Sequence, residues 1–103
     1  MDTQVQIQQG DIILIPISEI PDSALLQEGD LIQEGEATGH AHRLTEGQIY
    51  VEPDSKVKYL RLVVPSEVTH NTHHPIQVPP NLYEVRVVLE KGMFSDLVAP
   101  VVD

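Results

Sequence analysis

"QIYVEPDSKVKYLRLVV", residues 48–64, decides the fold. Gln48 to Val51 reads as a short strand, and Glu52 to Lys56 as a turn of typical turn residues. Residues 57–64 read as a second strand, with Lys58 and Arg61 set among apolar neighbours until Pro65 ends it. Working outward, the same punctuation recurs. "LIQEGE" and "GHAHRL" are short strands upstream, with Glu46 and Gly47 as a turn, and "SEVTH" and "PIQV" are strands downstream. Pro79, Pro80 and Asn81 then turn the chain into "YEVRVVLE", where Tyr83, Val85, Val87 and Leu89 share one face and Glu84 and Arg86 the other.

At the N-terminal side, "TQVQIQQGDIILIPI" reads as two strands, or one bent at Gly10 and Asp11, with the second part buried on both faces. Residues 18–30 are the least regular; Pro21 and Asp22 are placed to cap one helical turn running through Leu26 before Gly29 and Asp30 stop it. About seven to nine short strands, jointed by eight prolines and six glycines, predict an all-β domain, a small barrel or jelly-roll-like sandwich. The 103 residues make one domain, 1–103. Its tail, residues 92–103, carries Met93, Phe94, Leu97 and "VAPVVD", and is expected to cover a sheet edge or to reach a second subunit in a homo-oligomer.

Six basic against sixteen acidic residues give a formal charge of −10, which argues against a nucleic-acid partner and an anionic membrane surface and favours cations. The basic residues are scattered along the chain and no aromatics interleave with them. With no cysteine there is no disulfide framework, thiolate site or Cys nucleophile. No segment has the length of a membrane span or the pattern of a leader, so the expected location is cytoplasmic.

The chemistry is concentrated in histidine: all five fall between residues 40 and 74. His40 and His42, two apart on a strand, project from the same face, as a sheet presents two ligands to one ion. A third nitrogen is available from His70, His73 or His74 in the segment before "PIQV". Such a set, with an open coordination position, suits a divalent transition metal: Zn(II), Fe(II), Mn(II) or Ni(II). Glu46, four residues after His42, is placed as a fourth ligand or as a base acting on metal-bound water. Asp11 and Asp30 read as solvated turn charges, Glu34 and Glu36 as solvated face charges, with Glu36 near enough in sequence to support a histidine.

The string Gly35, His40, His42, Glu46 resembles the first motif of the cupins, in which a glycine precedes a His-x-His pair and a glutamate follows. "THHPIQVPPNLYEV" is less like their second motif, which has a Pro-x-Gly turn before its histidine, whereas here the histidines precede the prolines. The resemblance implies a jelly roll with a metal held by His40, His42, Glu46 and one of the later histidines. The order "QGDIILIPI", "GEATGHAH", "HHPIQVPPNLYEV" also looks like that of small uncharacterised bacterial and phage proteins, a likeness that fixes no mechanism. Two functions fit these residues: a metal-binding β domain, including a metal-dependent hydrolase or other metalloenzyme with a small-molecule substrate, or a self-assembly or interaction module with its histidines at a subunit interface.

Overall fold

A computed structural model describes residues 6–34 and 39–88 of the chain. It is all-β. The strands are β1 (Ile7–Gln9), β2 (Ile12–Ile17), β3 (Leu25–Gln27), β4 (Leu31–Glu34), β5 (Ala41–Leu44), β6 (Gln48–Val51), β7 (Lys58–Leu62), β8 (Ser66–Thr69), β9 (Ile76–Val78) and β10 (Asn81–Val87). They form two antiparallel sheets, one in the order β1-β2-β10-β7-β6-β3 and one in the order β4-β5-β8-β9. Ten strands exceed the seven to nine expected because β3, three residues long, is too short to show a period.

Both sheets contribute to a single core. Ile12, Leu14, Ile49, Leu60, Leu62, Tyr83 and Val85 come from the larger sheet, and Ile32, Leu44, Val68 and Val78 from the smaller. Tyr83 and Val85 face inward as the alternation of β10 requires, while Val87, at the strand's end, is exposed. The hydroxyl of Tyr83 donates to Pro79 O at 2.8 Å, so its burial leaves no polar atom unmatched. Among the described residues neither sheet closes on itself: β1 and β3 are the edges of one, β4 and β9 of the other. Alternating burial describes a two-layer sheet pair as well as a barrel, so patterning alone does not separate them.

The N-terminal segment is a hairpin. Gln9 pairs with Ile12 across the two-residue turn Gly10–Asp11, and Gly10 takes φ +59°, a conformation that favours glycine. Of the apolar run expected to be buried on both faces, Ile12, Ile13 and Leu14 are buried, whereas Ile15, Pro16 and Ile17 are only half-buried. The helical turn expected through Leu26 is not formed. Ala24 N–H bonds Pro21 O in a reverse turn, and Leu25 to Gln27 then pair with Val51 to Ile49 as an edge strand. The pull of an open β6 edge, 24 residues away, outweighs the weak local preference of so short a helix. No helix among the described residues is long and apolar enough to cross a membrane. Residues 92–103, with Leu89, Gly35 and Glu36, lie outside the described residues.

Candidate functional site

The imidazoles gather beside the β1–β2 turn. β5 presents His42 inward, nearly completely buried, while Arg43 points out to an exposed ion pair with Asp30 at 2.8 Å. His40 immediately precedes β5, and the segment between β8 and β9 supplies His70 and His73. The His70 ring lies 4.4 Å from that of His42, 4.6 Å from His73 and 5.5 Å from His40, centre to centre. The rings of His42 and His73 are nearly parallel at 6.5 Å.

The loop carrying His70 and His73 is tied down at several points. Ala41 N–H donates to Asn71 Oδ1 at 2.8 Å, joining the loop to the start of β5. Backbone N–H groups of Thr72 and His73 donate to His70 Nδ1, at 3.0 and 3.2 Å. An accepting Nδ1 fixes the neutral tautomer of His70, with its proton on Nε2. Beside Gly10, the His73 ring fills the space where a side chain would start: a Cβ placed there meets His73 Nε2 at 2.6 Å.

Sequence reasoning missed Gln9, yet this buried residue organises the site. Its Nε2 donates to Val68 O at 3.0 Å and to His74 O at 2.8 Å, which uses both amide hydrogens. Its Oε1 is thereby turned toward His42 Nδ1, 2.7 Å away, and must accept a proton from it. His42 consequently carries its Nδ1 proton, and its Nε2 faces Asp11 Oδ1 at 2.9 Å. Asp11 was read as a solvated turn charge; its side chain is half exposed, but one oxygen is committed to the imidazole. The signal in the sequence was the last of four glutamines before a Gly-Asp turn, with nothing local to say what it meets.

Burial pushes the pKa of His42 below its ordinary value and the neighbouring His73 adds to this; the hydrogen bond and charge of Asp11 oppose it without prevailing, because half of that carboxylate is in water. His70 is lowered too, by burial and then by His42, His73 and His40. Lowered values mean that the unfolded chain takes up these protons first. Their contribution to stability is therefore complete above the unfolded value of 6.5 and is lost as pH falls through the lower folded values. Chelator-treated protein is expected to show a urea midpoint that drops on acidification below about pH 6.5, more steeply than that of His42→Phe. A midpoint that rises there, or equal slopes, would contradict the assignment.

The other residues singled out from sequence are placed differently. His74 is exposed and enters the site through its carbonyl rather than its ring. Glu46 stands in the exposed turn after β5, its backbone N–H donating to Ser66 Oγ at 3.0 Å. Among the described residues no three His, Cys, Asp or Glu side chains are gathered so as to hold a metal ion as they stand.

Fold and site thus define a small all-β domain of two antiparallel sheets with a buried His42 held between an amide and a carboxylate. The chain belongs to a family described as a domain of unknown function, DUF8820, which matches residues 8–88. That span runs from within β1 to the end of β10 and includes every histidine. No curated protein and no solved structure matches the chain.

Proposed function

We propose that the domain binds one divalent transition-metal ion, Zn(II), Fe(II), Mn(II) or Ni(II), through His42 Nε2 and the Asp11 carboxylate, completed by His73. The observation that carries this reading is the contact between His42 and Asp11. With the Nδ1 proton committed to Gln9 and the ring kept neutral by burial, Nε2 presents a lone pair to a carboxylate oxygen 2.9 Å away. Two lone pairs at that distance repel unless a cation or a proton lies between them. Nitrogen and oxygen ligands about 2.1 Å from one ion, at roughly a right angle, stand about 3 Å apart. His73 is the third donor because its ring, from the β8–β9 segment, packs against Gly10, the neighbour of Asp11 in the β1–β2 turn. Closing the set needs side-chain rotation, since among the described residues no three ligands stand ready. His70 has its proton on Nε2 and serves as a wall of the site, with His40 beyond it.

Glu46, on the exposed turn, is not used in binding, so the reading stops at metal binding and assigns no reaction. The cupin-like jelly roll would be the finer description of the fold under this proposal. Elemental analysis of tag-free protein tests it: about one equivalent of metal is expected in the parent and in His74→Ala, and little in His40→Ala/His42→Ala or His73→Ala. A parent that stays empty when offered each of the four ions would leave the pair as imidazolium and carboxylate and remove the proposal.

Self-association is a second reading, favoured by one feature. β3 is a sheet edge, and its consecutive Leu25 and Leu26 are 58% and 60% exposed. Light scattering on the same samples decides it: a monomeric mass, unmoved by chelator, removes it.

A further inference from the structure

The basic residues are scattered in sequence but not in space. Half of the chain's six Lys and Arg residues, Lys56, Lys58 and Arg86, line one cleft of about 330 Å³ whose lining includes no histidine. The cleft opens where a ladder stops. β10 runs on to Val87 in its pairing with β2, but its pairing with β7 ends at Val85 opposite Lys58, so on that side Arg86 and Val87 share the cleft with the turn residues Ser55 to Val57.

Three features of the cleft point to a ligand. Lys56 holds φ +68°, where a glycine or asparagine would sit with less strain; such strain, on the order of 1–3 kcal/mol, is characteristic of functional positions. Lys58 is half-buried, donates only to Leu31 O at 3.3 Å, and has no carboxylate partner among the described residues. Burial lowers its pKa, a cost that a neighbouring anion removes. Glu84 is already paired with Arg86 at 3.0 Å, so three cations against one carboxylate leave the cleft a local charge of +2 in a chain whose total is −10.

We propose that this cleft binds a small molecule through a phosphate group. A phosphate monoester carries close to two negative charges at neutral pH, which matches the cleft where a single carboxylate does not. Ser55 adds a hydroxyl, and Val57 and Val87 form an apolar wall for the rest of the ligand. The volume suits a small metabolite rather than a polymer.

The full chain, labelled with ¹⁵N, is titrated with inorganic phosphate at low salt and followed by amide shifts. Saturable shifts confined to Ser55–Lys58 and Glu84–Val87 are expected, with acetate far weaker. Lys56→Gly relieves the positive φ while removing one ammonium, so it is expected to stay folded and to bind phosphate roughly tenfold more weakly. Arg86→Gln is expected to weaken binding similarly. Shifts that do not saturate or spread over the surface, acetate binding equal to phosphate, or unchanged affinity in folded Lys56→Gly would each overturn the proposal.

Discussion

Gln9→Ala is expected to unfold about 15 °C or more below the parent, a loss of about 3–4 kcal/mol, although it deletes no charge and little apolar surface. The substitution strands the carbonyls of Val68 and His74 and the Nδ1 proton of His42, all satisfied by one amide. Each buried group left without a partner costs on the order of 1–3 kcal/mol, and the three are held by a single side chain, so they are lost together. The near-isosteric Gln9→Glu separates donors from shape. A carboxylate in this place turns an acceptor toward two carbonyls, so this variant is expected to be at least as unstable as Gln9→Ala at neutral pH. If Gln9→Glu instead melts with the parent in a thermal scan, the two carbonyls do not depend on the amide hydrogens of Gln9, and the orientation that turns Oε1 toward His42 Nδ1 falls with them. The same variants bear on metal binding: an imidazole whose second nitrogen loses its hydrogen bond typically gives up about 10–100-fold in metal affinity.

How far the sequence carries is set by the range of the interactions involved. β6, β7 and the turn between them were legible because a period of two and a turn such as "EPDSK" are local properties of the chain. β3 was not, since its pairing with β6 is a long-range event that "ALLQ" does not encode. At the site, the grouping of His40, His42, His70 and His73 was visible in their crowding between residues 40 and 74. What fixes their chemistry was not. Gln9 and Asp11 reach His42 from 33 and 31 residues away, through a hairpin turn that sequence reads only as punctuation. Glu46 shows the opposite hazard: four residues along an extended strand is about 13 Å, and the turn it occupies leads on into β6.

Gly47→Ala is expected to cost about 3–4 kcal/mol, far more than the same change at Gly29. Both glycines have positive φ, +123° and +90°, so both substitutions strain the backbone, a penalty on the order of 1–3 kcal/mol that they share. Space separates them. An added Cβ at Gly29 meets nothing within 4 Å, whereas at Gly47 it collides with Leu62 Cδ2 and lands 3.1 Å from the Arg61 carbonyl. Leu62 is a buried core residue and has no free volume to retreat into, and the carbonyl belongs to the β6–β7 ladder. Overpacking of that kind adds about 1–3 kcal/mol. Urea unfolding of the two variants against the parent isolates the steric part, because the backbone strain largely cancels between them. The double variant Gly47→Ala/Leu62→Ala sharpens the test. Removing Leu62 Cδ2 creates the room that the new methyl needs, so the two changes together are expected to cost less than the sum of each alone. Strict additivity would mean that the turn is opened by its backbone alone, and that Gly47 is not the contact that closes this end of the core.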